Sequence, residues 1–281
     1  MNVKARAKIN LSLDVLGARP DGYHEILTVM QPLELHDKMK VEALATGAIE
    51  VICSHPDVPS GPGNLVYRAA DLLRSECGCS MGASIYIKKN IPVAAGLAGG
   101  SADAAAALKA LNKLWGLGLE ERQLLQAGER IGADVPFCLA GKTALAGGKG
   151  EILTPLPSFP GLGVILVKPS FGVSTARVYS LYDSSPAGPG PNTGAMVSAL
   201  EKRDFEAVAA LLNNVLERVT AALHPEINEI KKALIDAGAA GAIMSGSGPT
   251  VFGLCRSPGE ALSVAARLEL PGCRVIVNET V

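Results

Sequence analysis

The sequence lacks a long apolar run. Its most apolar segment, residues 92–111, is interrupted by Ser101, Asp103 and Lys109, whereas a membrane-spanning helix needs about 18 consecutive apolar residues. The N-terminus also lacks the apolar core of a signal peptide and passes directly into patterned sequence. We therefore expect no membrane association and a cytoplasmic location.

The patterns of metal-binding and disulfide-rich proteins are missing as well. The six cysteines include one Cys-x-Cys pair and no Cys-x-x-Cys pair, and the four histidines lie far apart in the sequence. We therefore predict neither a zinc site nor a disulfide framework, and we expect free thiols.

An excess of positive charge is absent. The 281 residues carry a formal net charge of -1, with 48% hydrophobic and 19% charged residues. Such a chain has no global positive field to attract nucleic acid or an anionic membrane, so an anionic substrate must be held locally. The length and composition fit a soluble globular protein, for which we expect two domains.

Two familiar nucleotide-binding motifs are also absent. No G-x-x-x-x-G-K-[ST] occurs. No G-x-G-x-x-G occurs either. These absences exclude a Walker-type NTPase. The glycine motif that is typical of a Rossmann dinucleotide-binding fold is missing as well.

A glycine-rich loop is the strongest positive signal. Residues 92–103 read P-V-A-A-G-L-A-G-G-S-A-D and continue into a run of alanines. Gly96, Gly99 and Gly100 allow backbone amides to approach a ligand closely, and the following helix directs its unpaired N–H groups to the same place. This pattern predicts a phosphate cradle, although a glycine-rich helix entry that binds nothing has the same pattern.

The first 24 residues predict a strand followed by a tight turn. Odd positions from 3 to 15 are apolar and even positions from 2 to 14 are polar, a period of two that is typical of a strand and places Lys8 and Asn10 on one face. Residues 17–22 have the composition of a reversal, so Tyr23 and His24 lie where a loop ends. Such a pair can stack on and hydrogen-bond a planar base, or can be an ordinary surface anchor.

The remaining chain predicts strands and helices in both halves. The first half contains strands at 26–35, 39–44, 49–53 and 84–89, a helix capped by Asn64, helices at 101–115 and 120–131, and Asp134 as a possible helix cap. The proline-rich segment 154–161 predicts a boundary between a domain at 1–156 and one at 161–281. The second half contains a helix opening at Ser174, a loop at 184–194 and helices at 203–219 and 225–237, which indicates an α+β domain.

Five motifs together resemble the GHMP kinases. They are the P-x-x-x-G-L-x-G-G-S loop, the run 7–11 (A-K-I-N-L), the run 19–24 (R-P-D-G-Y-H) with 132–136 (G-A-D-V-P), and a C-terminal glycine motif at Gly246, Ser247 and Gly248. The resemblance implies a two-domain α+β GHMP kinase fold. Its N-terminal α/β domain carries the phosphate loop, and its C-terminal domain is a ferredoxin-like α+β domain.

The resemblance also implies a phosphoryl transfer from ATP. Asp134 takes the proton from a substrate hydroxyl that attacks the γ-phosphate in line, and Lys8 lies beside it as an electrostatic partner. An ammonium keeps a nearby carboxylate ionised and offsets the charge of the transferring group, and Mg²⁺ completes the requirements.

Within the family, the chain resembles the branch whose alcohol substrate is a cytidine diphosphate-linked methylerythritol of the non-mevalonate isoprenoid route. This implies that Tyr23 and Tyr179 hold the cytosine, His24 bonds the base and Asn10 orients the substrate. Asn64 and Lys89 are expected near the adenosine, with Lys88 as a rival for Lys89. The residues expected around the triphosphate are Pro92, Val93, Ala94, Ala95, Gly96, Leu97, Ala98, Gly99, Gly100, Ser101 and Ala102.

Several alternatives stay open at this point. Ser101 can reach Mg²⁺ or a phosphate, or can simply bond backbone, so the metal ligands are unassigned. Another kinase of the family, acting on homoserine or mevalonate, and a non-catalytic nucleotide- or RNA-binding module are the competing functions. The expected partner is a small-molecule substrate, with no nucleic acid and no membrane, for a monomer or weak homodimer.

Overall fold

A computed structural model describes residues 1–184 and 188–281 of the chain, which form two compact units. Unit 1 comprises Met1–Ala7, Leu35–Val93 and Ala98–Gly141, and unit 2 comprises Lys8–Glu34, Ala94–Leu97 and Lys142–Val281. The predicted domain boundary is a single break in the chain and remains a prediction. The loop predicted at 184–194 includes residues 185–187, which lie outside the described residues.

Two long strands contribute residues to both units. Strand β1 is Asn2–Ala18 and strand β2 is His24–Leu44. The predicted strand at 3–15 is confirmed, but the two strands predicted at 26–35 and 39–44 are wrong, because they are one continuous strand. The polar residues between them do not interrupt it, since the buried Asp37 is bonded to Lys89 and to the backbone of Asn90 and Ile91.

In unit 1, a twisted sheet with the order β3-β4-β2-β1 lies against helices. Strand β3 (Ile49–Cys53) is parallel to β4 (Gly82–Lys88), with Ile49 opposite Ala83, and β4 is antiparallel to β2, with Lys38 opposite Lys88. The apolar faces of these strands and helices form one core. The helices are α1 (Leu65–Glu76), α2 (Gly99–Leu114), α3 (Glu121–Ile131) and α4 (Val135–Ala140).

In unit 2, two short strands pair with β2 and a separate sheet carries the second core. Strand β5 (Ala144–Gly147) is antiparallel to β2 and to β6 (Ile152–Pro155). The separate sheet contains β7 (Gly163–Lys168), β9 (Gly241–Met244), β10 (Val251–Cys255) and β11 (Arg274–Glu279), in the order β11-β7-β10-β9 with antiparallel neighbours. This is the split order of a ferredoxin-like domain, which confirms the predicted fold class.

The helices of unit 2 differ from the prediction in two places, since the helix Thr193–Lys202 was not predicted and the helix predicted at 203–219 is divided. They are α5 (Thr175–Asp183), α6 (Thr193–Lys202), α7 (Phe205–Ala210), α8 (Glu217–Leu223), α9 (Glu226–Asp236) and α10 (Pro258–Ala265). The single helix predicted at 203–219 is wrong, because β8 (Asn213–Asn214) separates α7 from α8 and pairs in parallel with Ser12 and Leu13. The Asn214 side chain donates to two carbonyls elsewhere in unit 2, which fixes an extended backbone here.

Among the described residues, none of the helices has the length and apolar character that a membrane crossing requires. Each of the six cysteines carries a free thiol. Cys255 is fully buried, and burial raises the pKa of its thiol to about 11, so this residue serves packing rather than reactivity.

Candidate functional site

In unit 2, the glycine loop meets the C-terminal glycine motif at Gly96. Gly96 has φ +74, and a Cβ built on it would lie 2.2 Å from the carbonyl oxygen of Ser245 and 3.1 Å from that of Gly248. The Ser245 hydroxyl donates to the Gly96 carbonyl at 3.0 Å. Only glycine fits this backbone and this space. The structure therefore brings together two segments that the sequence separates by about half its length.

The C-terminal glycine motif is held by side chains around it. Asn214 Nδ2 donates to the carbonyls of Met244 and Gly246, both at 2.8 Å. Thr220 Oγ1 donates to the Ser247 carbonyl at 3.2 Å, and the hydroxyls of Thr175 and Ser247 are 2.9 Å apart. These bonds fix the turn against which Gly96 packs.

In unit 1, the second part of the loop opens α2. The helix begins at Gly99, two residues before the predicted start, and its N-cap residue Ala98 has φ 56 and no side chain that caps the helix. The N–H groups of Gly99, Gly100 and Ser101 therefore have no acceptor within the helix, which is the geometry of an anion site. The left-handed conformations of Ala94 (φ 49) and Ala98 are strained for non-glycine residues, a property common at ligand-binding loops.

Lys8 and Asn10 lie side by side on β1, as the strand period predicts. Lys8 Nζ donates to Asn10 Oδ1 at 2.8 Å, Asn10 Nδ2 donates to Thr28 Oγ1 at 2.8 Å, and Thr28 Oγ1 donates to the Ser12 carbonyl at 2.6 Å. Lys8 and Asn10 are buried, at 4% and 1% exposure. A Cβ built on Gly246 would lie 3.6 Å from Asn10 Oδ1. In unit 2, the Lys8–Asn10 pair is thus close to the C-terminal glycine motif.

Asp134 directly precedes α4 and is half-buried. Its carboxylate does not cap the helix, so the structure does not bear out the capping role that the sequence also suggested. In unit 1, the segment that carries Asp134 lies near the start of α2, because a Cβ built on Gly132 would lie 3.9 Å from Ser101 Oγ. The proposed base is therefore carried by a segment adjacent to the phosphate loop.

His24 and Tyr179 are in contact in unit 2. Their ring centroids are 4.8 Å apart with the planes tilted by 34°, and His24 Nε2 lies 2.7 Å from Asp183 Oδ1. Tyr23 is 55% exposed, and Lys149 Nζ lies 5.1 Å from the centroid of its ring. The structure thus brings an oriented imidazole against a tyrosine ring from a distant segment, and the exposed Tyr23 directly precedes that histidine.

Asn64 and Lys89, both expected near adenosine, are bonded within unit 1. Asn64 is the N-cap of α1, accepts from the Val66 amide at 2.8 Å and donates to the Pro59 carbonyl at 2.7 Å. Lys89 Nζ donates to Asp37 and to Asp103, and its side chain is 6% exposed, whereas Lys88 is exposed. Burial lowers the pKa of Lys89, but the charges of Asp103 and Asp37 outweigh it and raise that pKa. Lys89 is therefore a buried, positively charged side chain that is bonded to two acidic residues.

Sequence reasoning missed the partners of these residues. Thr28, Asp183 and Lys149 have no local signal, because they act through contacts with distant segments. Two others do have a signal. Asp37 alternates with more exposed neighbours in a strand, and Asp103 stands in a run of buried alanines. A fully buried acid is rare unless it is paired, so both could have been flagged.

The described residues contain no group of three or more His, Cys, Asp or Glu side chains that could hold a metal ion. Mg²⁺ in phosphoryl-transfer sites is commonly held by substrate phosphates with only one or two protein ligands. A metal that arrives with a nucleotide is therefore compatible with these residues, and its protein ligands stay unassigned.

Comparisons with known proteins agree with this geometry. The GHMP kinases N terminal domain matches residues 64–142, and the GHMP kinases C terminal domain matches residues 196–272. The 4-diphosphocytidyl-2-C-methyl-D-erythritol kinase of Pelotomaculum thermopropionicum is 53% identical over 276 residues, which cover 98% of this chain and 96% of that protein. The enzyme of the same name from Acetivibrio thermocellus is 46% identical over 281 residues, covering 100% and 99%. A crystal structure of 4-(cytidine 5'-diphospho)-2C-methyl-D-erythritol kinase matches with a TM-score of 0.84 and 36% identity, covering 100% of this chain and 99% of that one.

Proposed function

Because the chain belongs to the GHMP kinases, and among them to the 4-diphosphocytidyl-2-C-methyl-D-erythritol kinases, we propose that it uses ATP to phosphorylate a hydroxyl of that cytidine diphosphate-linked alcohol. The product is the 2-phosphate, and the reaction belongs to the non-mevalonate route to isoprenoid precursors. The acceptor is an alcohol, so the enzyme is an ATP-dependent phosphotransferase.

The contact between His24 and Tyr179 carries the choice of substrate. An imidazole fixed by Asp183 at 2.7 Å presents its other ring nitrogen in a defined orientation, and a ring beside it offers a face for stacking. Together with the exposed ring of Tyr23, these groups suit a planar base with hydrogen-bonding edges. Homoserine and mevalonate carry no base, so the group has no purpose for those alcohols.

Asp134 is the general base of the proposed reaction. Its carboxylate takes the proton of the substrate hydroxyl while the hydroxyl oxygen attacks the γ-phosphorus of ATP, and ADP leaves on the opposite side. Lys8 supplies a positive charge that offsets the charge of the transferring phosphoryl group. Asn10 accepts from Lys8 and donates to Thr28, so it fixes the direction of the ammonium as well as the position of the substrate.

Residues 92–102 are proposed to hold the triphosphate of ATP. The uncapped start of α2 and the glycine-only fit at Gly96 support this assignment. Mg²⁺, when bound, neutralises charge on the β- and γ-phosphates, and we propose that it is held mainly by the nucleotide. Asn64 is proposed to lie near the adenosine. Lys89 is likewise proposed to lie near the adenosine.

We also propose the division into an ATP-binding domain at 1–156 and a C-terminal domain at 161–281, which is supported by family matches on either side of this boundary. A cytoplasmic location and a monomeric or weakly dimeric state remain part of the proposal. The small-molecule substrate is the proposed partner, and no nucleic acid or membrane is involved.

The test is ADP release with purified protein and three alcohols. Release with 4-diphosphocytidyl-2-C-methyl-D-erythritol, and little with homoserine or mevalonate, is the expected result. Faster release with homoserine or mevalonate would favour a different kinase of the family. ATP binding without turnover of any of the three would favour the non-catalytic module.

A further inference from the structure

Three charged side chains are buried together in unit 1 beside the phosphate loop. Asp37 comes from β2, Lys89 follows β4 and Asp103 lies in the first part of α2. The exposed fractions of their side chains are 0%, 6% and 4%. Lys89 Nζ is bonded to Asp37 Oδ2 and, at 2.7 Å, to Asp103 Oδ2. We call these three residues the loop-base cluster.

The loop-base cluster ties together the two segments that flank the loop. On the side that enters the loop, Asp37 Oδ1 accepts from the amides of Asn90 at 2.5 Å and Ile91 at 2.9 Å. On the side that leaves it, Asp103 is in α2, and a Cβ built on Gly99 would lie 3.2 Å from Lys89 Nζ. That Cβ would also lie 3.1 Å from the Ile91 side chain, so the start of α2 packs closely against Lys89 and Ile91.

Burial favours the protonated form of Asp103 in the loop-base cluster. Burial raises the pKa of the Asp103 carboxyl to about 8, with Lys89 opposing the rise and Asp37 adding to it. Asp103 Oδ1 is buried and has no hydrogen-bond partner among the described residues. Asp37 and Lys89 form a buried ion pair, and removing either of them would leave an uncompensated buried charge.

We propose, on the basis of the kinase function proposed above, that Asp37, Lys89 and Asp103 are positioning residues that hold both ends of the phosphate loop, so that the first N–H groups of α2 face the triphosphate. Lys89 acts on ATP through the loop and does not contact the nucleotide. Asp103 is the member that connects the cluster to the helix, because it is the only one of the three on α2.

Two substitutions of Asp103 test this inference. Asp103→Leu keeps the Asp37–Lys89 pair but removes the tie to α2, and it should raise the KM for ATP and the Kd for ADP by about tenfold or more. The KM for the cytidylyl alcohol should change by less than about twofold. Asp103→Asn keeps an oxygen that accepts from Lys89, so it should restore ATP affinity to within about threefold of the wild type.

Leu111→Ala provides the matched control, because Leu111 is a buried residue of α2 that lies two turns further along the helix. It should lower the stability and leave the KM for ATP unchanged. If Asp103→Leu fails to fold, Asp37→Asn takes its place, because it weakens the tie at the entering segment.

An unchanged KM for ATP in Asp103→Leu, with a large rise in Lys89→Met, would overturn the inference and assign Lys89 to direct contact with the nucleotide. A rise no larger than in Leu111→Ala would also overturn it. ADP binding is measured by titration calorimetry without the alcohol. A wild type that binds ADP but does not turn over the cytidylyl substrate would therefore contradict the proposed function alone and leave this test intact.

Discussion

At the residue scale, Asp134 directly precedes α4 and its side chain does not cap that helix. Asp134→Asn removes the base but keeps the size of the side chain. Since a positioned base contributes about 10² or more to the rate, kcat should fall by that factor while ATP affinity changes little. Steady-state ADP release measures kcat, and a binding titration with ADP measures nucleotide affinity.

The control is Asp236→Asn, because Asp236 forms an exposed ion pair with Lys232. Turnover near the wild-type value in Asp134→Asn would remove Asp134 from catalysis.

Tyr23 and Tyr86 are both exposed, at 55% and 44%, so a Tyr86 variant is a matched control for a Tyr23 variant. If Tyr23 stacks on the cytosine, Tyr23→Ala should raise the KM for the cytidylyl substrate by about tenfold, which corresponds to a stacking contribution of about 1.4 kcal/mol. The KM for ATP should stay near its original value. Tyr86→Ala should change neither, and equal rises for both substrates in Tyr23→Ala would place that ring outside the alcohol site.

At this scale, the sequence predicted individual positions but not their partners. The period of β1 placed Lys8 and Asn10 on one face, and the structure joins them at 2.8 Å. Thr28, which completes the chain of hydrogen bonds, is 18 residues from Asn10, and Asp183 is 159 residues from His24. Contacts over such separations depend on the whole fold, so no local pattern could reveal them.

At the element scale, the glycine loop depends on Gly96. Gly96→Ala combines φ +74 with a Cβ 2.2 Å from the Ser245 carbonyl, so the loop must move away from the C-terminal glycine motif. We expect a loss of stability of about 1–3 kcal/mol and a large rise in the KM for ATP. Urea unfolding and ADP-release kinetics provide the readouts.

The control for this prediction is Gly61→Ala. Gly61 has open space at the Cβ position and no left-handed φ, and it should be neutral or slightly stabilising. A Gly96→Ala variant with wild-type stability and ATP kinetics would show that the close approach of residues 96 and 245 is not required.

Element boundaries were predictable where one local signal dominated. Asn64 predicted the start of α1, and its side chain does cap the Val66 amide. The helix at 203–219 was wrong, because the bonds from Asn214 to Met244 and Gly246 outweigh a helical pattern. The predicted start of α2 was two residues late, because a glycine pair in a sequence suggests a loop, whereas Gly99 here begins the helix and packs closely against Lys89.

At the scale of the whole molecule, the strand and helix pattern predicted an α+β second half, and the resemblance to the GHMP kinases supplied the two-domain fold, which is confirmed. The assignment of chain segments to the two compact units could not be predicted in the same way. Strands β1 and β2 pass from one unit to the other without a turn or a change of composition. A continuous strand has no local sequence signal at the residue where it passes from one unit to the other.

The stability of the whole molecule should depend on pH through Asp103. Its carboxyl has a pKa raised to about 8 in the folded protein, while the unfolded chain releases the same proton near pH 4. Between these values the folded state binds more protons, so its contribution is present below about pH 4 and is lost as the pH rises towards 8. The free energy of unfolding of the wild type should therefore fall with rising pH relative to Asp103→Asn, by at most about 1.4 kcal/mol per pH unit.

Urea unfolding of both proteins at several pH values between these limits measures this difference and cancels the other titrating groups. Asp37 and Lys89 are the charged groups that face Asp103. Because the charge of Asp37 raises the pKa of Asp103, the difference should shrink when the comparison is repeated in an Asp37→Asn background. A difference that grows in the opposite direction, with the wild type gaining stability as the pH rises, would show that Asp103 is ionised in the folded protein and that Lys89 outweighs its burial.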